Sequence, residues 1–210
     1  MSIENYNTKK IWNEHYTRNK SRLIYPDENL VRILSGLNIQ RGDRALDFGA
    51  GSGRHSLLMM NYGFKVSAMD YASNSLRQIQ ELEPEIETIL ADGLELPFKE
   101  EAFSFLLNWG VLHYNSREDA KKLIKEFRRV TKKGSYIAGT LRANTETYLR
   151  VNEGLTEVKD LKGANVDLYS LEELKDLLSG FDDVKLAYME RSPIGKLEER
   201  ICHWIYLVKN

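Results

Sequence analysis

Apolar residues along this chain recur in two distinct periods. Strand candidates stand at RALDFGA, KVSAMD, IETILAD, FSFLLNWG, SYIAGTL, VKLAYME and CHWIYLVK, several of them nearly continuous apolar runs. Runs of that kind predict strands covered on both faces. Between them the spacing changes to that of helices with one apolar stripe. Leu76, Ile79 and Leu82 follow Ser73, a predicted N-cap, and stop before Pro84. Ala120, Leu123, Ile124, Phe127 and Val130 follow a predicted capping box of Ser116 and Asp119, with Gly134 beyond the end. Leu174, Leu177 and Leu178 follow a second box, Ser170 with Glu173, and close at Gly180. Strand, helix, strand in that order predicts an α/β fold with a doubly wound, mainly parallel sheet. Only SPIGKLEER separates the last two strands, too little for a helical crossover, so they are expected to pair as an antiparallel hairpin.

Composition narrows this picture slightly. The 210 residues, 42% of them hydrophobic, suffice for one domain with a substantial core. Lys and Arg number 30 against 31 Asp and Glu, which argues against a dedicated binder of nucleic acid or anionic membrane. The one cysteine, Cys202, excludes an internal disulfide and fits a reducing compartment; its apolar surroundings predict a packed thiol. The opening MSIENYNTKK has no apolar signal core, and no apolar run reaches the length of a membrane span. A soluble, cytoplasmic protein is expected.

The candidate chemistry gathers at predicted strand ends. ALDFGAGSGRHS, residues 45–56, runs from the first strand through Gly49, Gly51 and Gly53 into a helix, a turn that lets backbone approach a ligand closely. In an open parallel sheet such ligands sit at the carboxyl ends of the strands. Asp47 can accept hydrogen bonds from loop amides or meet a ligand's ammonium through water. Asp70 ends the next strand, where a carboxylate suits a ribose diol, and Asp92 ends the third, where it can accept from an adenine amino group. Three acids at adjacent strand ends describe an adenosine-containing ligand that needs no phosphate neutralisation. The bland alternatives are chain reversal for the glycines and helix capping for the acids.

At these residues the chain resembles the class I S-adenosylmethionine-dependent methyltransferases, and the resemblance covers nearly all of it. ALDFGAGSGRH is similar to the family's first motif, VSAMDYASNSL to its acidic second-strand motif, and ADGLELPFKEEAFSFLLNWGVLHY to its third- and fourth-strand region. EFRRVTKKGSYIAGTLR resembles the helix, turn and fifth strand, and IWNEHY and YPDENLVRIL the amino-terminal cover of small-molecule members. The resemblance implies a Rossmann-like, seven-stranded sheet with the last strand antiparallel, and S-adenosylmethionine as cofactor. It implies a binding set of Asp47, Gly49, Ala50, Gly51, Asp70, Tyr71, Asp92, Gly93, Asn108 and Trp109, with Trp12 and Tyr16 closing from the cover.

The implied layout is one domain. Residues 1–41 form a helical cover, 42–140 the cofactor-binding core, 141–169 a polar, irregular insertion over one edge, and 170–210 the last helix and hairpin. Tyr6, Arg22 and Tyr25 are further cover candidates. His113 is the nominated general base, against packing at a helix start. His55 is read as structural, and His15 and His203 have no sequence partner that suggests catalysis. Arg142 can meet an acidic acceptor or stand solvated in a loop. Cys202 and His203 adjoin without partners, so no metal is expected. The expected partner is a small-molecule methyl acceptor, bound by the cover, the His113 segment and the insertion. An NAD-dependent oxidoreductase is disfavoured because Arg54 stands where the third fingerprint glycine would fall. An RNA methyltransferase and a non-catalytic binder of S-adenosylmethionine stay as alternatives.

Overall fold

The computed structural model describes residues 3–210. Its strands are β1 (Arg44–Phe48), β2 (Lys65–Asp70), β3 (Glu87–Leu90), β4 (Phe103–Trp109), β5 (Thr131–Arg142), β6 (Asp182–Arg191) and β7 (Ile201–Lys209). They form one seven-stranded sheet in the order β3-β2-β1-β4-β5-β7-β6. β1 pairs parallel with β2 and β4, β2 with β3, and β4 with β5. β7 runs antiparallel to β5 and to β6, so the short SPIGKLEER link does close a hairpin. Strand order reverses between β1 and β4, which places the topological switch beside the glycine turn.

Helices α1 (Ile3–His15), α2 (Glu28–Ser35), α3 (Arg54–Asn61), α4 (Ser73–Leu82), α5 (Arg117–Val130) and α6 (Leu171–Leu177) flank the sheet. Every apolar position predicted on α5, from Ala120 to Val130, is buried. It packs with Leu174 of α6 against Leu106, Ile137 and Tyr206 on one face of the sheet. On the other face Leu30 and Leu34 of α2, Met59 of α3 and Ile79 of α4 cover Ala45, Phe105, Leu107 and Ala138. Burial on both faces is why β1, β2 and β4 read as unbroken apolar runs, whereas the edge strands β3 and β6 have no buried residue.

The predicted caps form only in part. The box of Ser170 and Glu173 is complete, whereas Ser116 accepts from the Asp119 amide, one half of the predicted pair. Ser73 is the first residue of α4 and caps nothing; the preceding amide, of Ala72, is taken at 2.8 Å by Asp70 Oδ1. The strand-end carboxylate is the stronger acceptor and already fixed in place. Gly134 does not close α5. The chain enters β5 directly at Thr131, and Gly134, at φ +77°, lies where the register against β4 slips between Phe103 and Phe105.

Residues 143–169 carry only isolated bridges, yet they are anchored by buried Leu149, Ala164, Val166 and Tyr169. The Asp167 amide donates to the His113 carbonyl at 2.7 Å, and the Tyr169 amide to that of Arg142 at 2.9 Å. The segment therefore lies against the carboxyl ends of β4 and β5. Among the described residues no helix is long and apolar enough to cross a membrane.

Candidate active site

The glycine turn is held by its neighbours on both sides. The Gly49 and Ala50 amides both donate to the Met69 carbonyl of β2, at 2.8 and 3.0 Å. The next amide, of Gly51, donates to Asp70 Oδ2 at 2.9 Å. Asp70 thus ties the turn after β1 to the turn after β2. Burial raises its pKa, and the Ala72 and Gly51 amides oppose that shift. Gly49, at φ +73°, has no room for a side chain, since a Cβ would stand 2.4 Å from Val111 Cγ2. Gly51, at φ +54°, is crowded in the same way by the Tyr16 hydroxyl at 2.5 Å.

These turns open into a cavity of about 380 Å³ at the carboxyl ends of β1, β2 and β4. Gly49, Asp70, Tyr71, Asp92, Gly93 and Trp109 all line it. The roof comes from α1. Trp12 stacks on Tyr16 at 6.1 Å between ring centroids and meets Tyr114 edge-on at 4.8 Å. Lys9 Nζ reaches Asp92 Oδ2 at 3.3 Å, and the Tyr16 carbonyl accepts from Gln78 of α4. An adenosine-bearing ligand fits what is present. Each Asp70 oxygen spends one lone pair on a backbone amide, leaving acceptor capacity for two hydroxyls, while apolar Phe48, Met69 and Leu94 supply flat walls.

Of the residues singled out in the sequence, Gly49, Asp70, Tyr71, Asp92, Gly93, Trp109, Trp12 and Tyr16 line this cavity. Others do not. Asp47 is buried behind the turn, where it accepts from Ser56 Oγ at 2.6 Å and fastens α3 to β1. Ala50 packs into the core beneath α3, and Gly51 contributes its amide to Asp70 instead of to the cavity. Asn108 is fully buried, its side-chain oxygen accepting from the Tyr206 hydroxyl at 2.7 Å. Strand alternation decides that: on β4 the two ends of Asn108–Trp109 face opposite sides of the sheet. His113 is buried in the single turn Leu112–Tyr114, and it is Tyr114 that reaches the cavity.

Arg22 and Tyr25 are exposed. Their loop runs outside α3, where the Leu23 carbonyl accepts from Ser52 and the Tyr25 carbonyl from Arg54. The side chain of Tyr6 lies outside the described residues. His55 is structural in its contacts, its Nε2 accepting from the Asp27 amide and its ring meeting Trp109. Arg142 is no loop residue: it ends β5, with its side chain 13% exposed and paired to Glu146 at 2.7 Å. The sequence reading missed Lys9, Val111, Tyr114 and Asn115 as cavity residues. Tyr114 carried a usable signal, an aromatic five residues past Trp109 at the end of β4.

Comparison with known proteins agrees with this geometry. The methyltransferase-domain family matches residues 46–139, which span the glycine turn, Asp70, Asp92 and β4. An uncharacterized protein of Methanocaldococcus jannaschii is 30% identical over 183 residues, 86% of this chain and 82% of that protein. The demethylmenaquinone methyltransferase of Renibacterium salmoninarum is 33% identical over 103 residues, 49% of this chain and only 42% of that enzyme. Among solved structures, a methyltransferase of Thermotoga maritima described as a possible histamine N-methyltransferase superposes with a TM-score of 0.70. It is 18% identical, with 97% of this chain and 98% of that one covered. Residues 46–139 are thus a methyltransferase domain, and the chain has the fold of S-adenosylmethionine-dependent methyltransferases. It is an enzyme whose methyl donor is S-adenosylmethionine, and the dinucleotide alternative falls with that assignment.

Proposed function

We propose that this enzyme transfers the methyl group to an oxygen or nitrogen atom of a small metabolite in the cytoplasm. The observation that carries the reading is the roof. With Lys9 of α1 paired to Asp92 and the carbonyl of Tyr16, the residue after α1, accepting from Gln78, the cavity is a partly roofed cleft on the scale of small molecules. Two of the matched proteins also bear small-molecule acceptors in their names, demethylmenaquinone and histamine. A near-neutral chain offers no general attraction to phosphate backbones.

In this reading Asp70 takes the ribose hydroxyls, Asp92 the adenine amino group, and Gly49 lets backbone approach the methionine part. Asp47, Ala50, Gly51 and Asn108 hold those groups from behind. Trp109, Trp12 and Tyr16 exclude water and wall the path of the methyl group. When bound, S-adenosylmethionine supplies an electrophilic methyl on a sulfonium, so the chain's task is alignment and desolvation of the acceptor. His113 takes the acceptor's proton.

Calorimetry tests the donor site. Asp70→Ala removes two charge-accepting contacts and is expected to weaken S-adenosylmethionine binding by about ten- to a hundred-fold, roughly 1.5–3 kcal/mol. Undiminished binding by a folded variant would sink the assignment of Asp70. Hydrogen exchange tests the cover: amides of residues 8–25 are expected to gain protection with S-adenosylhomocysteine, because bound ligand adds contacts to a helix otherwise held by a few polar links. Identical exchange in both states would make α1 a fixed wall.

A further inference from the structure

The two edges of the sheet are finished differently. At the β6 edge the register against β7 slips between Asp182 and Lys185, Asp183 stands at φ +40°, and Lys185 pairs with Asp183 at 3.2 Å. A bulge and an edge lysine are common guards against a foreign strand. The β3 edge has neither. β3 pairs with β2 in unbroken register from Glu87 to Leu90, and among the described residues no strand lies on its other side. The amide of Ala91, the next residue, donates to the Asp70 carbonyl of β2 at 3.2 Å. Successive residues of a strand direct their backbone groups to opposite sides, so Ile89 points as Ala91 does, and Thr88 and Leu90 point outward. Their N–H and C=O groups are the ones an added strand takes. Leu90 is also 62% exposed, an apolar side chain at an open edge.

This edge is flanked by charge of one sign. Between Glu81 and Glu95 the chain carries Glu81, Glu83, Glu85, Glu87, Asp92 and Glu95, and no Lys or Arg. All but Glu83 are exposed. Among the described residues only Asp92 has an ionic partner, Lys9 of the cover. Arg41 and Lys65 line a shallow pocket with Glu85 and pair with none of these acids. The whole chain is balanced at net charge -1, so the acids are gathered here by position and not by composition. Such charges discriminate among partners. A second copy of this chain pairing edge to edge would set these acids against their own equivalents. Phosphate backbones and anionic lipid are repelled in the same way. A segment rich in Lys or Arg is attracted.

We propose that the outer edge of β3 is the docking edge for a protein partner, which lays a basic, extended segment along Thr88–Leu90 as an eighth strand. The backbone ladder supplies affinity, and the flanking acids select the sign of charge. The position ties this edge to the site, because Ala91, Asp92 and Gly93, which directly follow β3, line the cavity. On the donor assignment made above, a strand held there fixes the adenine wall, so partner and donor strengthen each other's binding.

Three synthetic eight-residue peptides serve as probes of the full-length protein: alternating Lys and Val, alternating Glu and Val, and alternating Lys and Gly. The first combines positive charge with strand preference, the second reverses the charge, and the third keeps the charge without the preference. Calorimetry at low and high salt measures binding, and NMR-detected hydrogen exchange measures protection of single amides. The expected result is binding of the Lys–Val peptide alone, weakened by salt, with the Thr88 and Leu90 amides gaining protection. Leu90→Pro removes one outward amide without touching the ladder to β2, and is expected to weaken that binding about ten-fold. Should that variant fail to fold, replacing Glu81, Glu83, Glu85 and Glu87 by Gln is expected to weaken it by a similar factor through charge. S-adenosylhomocysteine is expected to bind the peptide complex more tightly than the free protein. Unprotected Thr88 and Leu90 amides, or equal binding of the Lys–Gly peptide, overturns strand addition. Equal binding of the Glu–Val peptide overturns the basic partner. A dimer in sedimentation that Leu90→Pro dissolves gives the edge to a second copy instead. An affinity for S-adenosylhomocysteine unchanged by the peptide removes the link to the cavity.

Discussion

Replacing His113 by alanine is expected to lower turnover by about 10²–10⁴-fold, with S-adenosylmethionine affinity little changed. The size follows from what a positioned base contributes when the acceptor must lose a proton. Burial holds its pKa well below the ordinary histidine range, and the positive charge of Arg142 and the neighbouring His203 add to the effect. The imidazole is therefore neutral before the reaction, and the proton it takes must be stabilised by the bound acceptor, because burial beside a cation disfavours its charged form. Its location argues for unchanged donor affinity, since Tyr114 separates it from the cavity that holds Asp70 and Asp92. Single-turnover rates and calorimetric affinities on the same variant check both halves. A loss of less than about ten-fold would leave alignment as the main mechanism. A variant that unfolds would be replaced by His113→Asn, which keeps a polar side chain against Thr140 while removing the titratable nitrogen.

The second large effect concerns pH and Asp47. Desolvation pushes this carboxyl up to about 7, with the hydrogen bond from Ser56 opposing the shift and the charge of Asp70 adding to it. The unfolded chain releases the same proton near the ordinary value of 3.8. Below about pH 4 both states hold the proton and its stabilising share is fully present. As pH rises from about 4 to about 7 only the unfolded chain ionises, so that share is progressively lost. Each unit corresponds to about 1.4 kcal/mol, so the interval of about three units amounts to about 4 kcal/mol. Asp47→Asn has the same shape and can still accept from Ser56, but does not titrate. Its stability relative to wild type is expected to climb across that interval and level off above it. Denaturant unfolding of both proteins at several pH values reads the difference directly, and parallel curves would show Asp47 ionised in the fold at low pH.

Asp47 also shows how far the sequence reached. Periodicity alone specified seven strands, the amphipathic stripe of α5 and the closing hairpin, because burial on one or both faces dictates which positions are apolar. Glycines at a strand-to-helix turn and acids at successive strand ends specified a ligand of adenosine type, because few backbones and few charges can stand there without one. The eight cavity residues anticipated, from Gly49 to Trp109 with Trp12 and Tyr16, came from those two signals and the family motifs.

Orientation was a different matter. A strand end holds neighbours that face opposite ways, so Asp47 and Phe48, or Asn108 and Trp109, are equal candidates in one dimension; only Phe48 and Trp109 meet the cavity. A three-residue turn likewise sends Tyr114 to the cavity and His113 behind it. The gathering of His15, Trp12, His113, Arg142 and His203 was decided by the tertiary structure alone. Those residues come from the cover, the segment after β4, the end of β5 and the start of β7, separated by up to 191 positions in the chain. Sequence patterns record which side of an element is buried. Only the packing of elements against one another determines which buried polar groups meet.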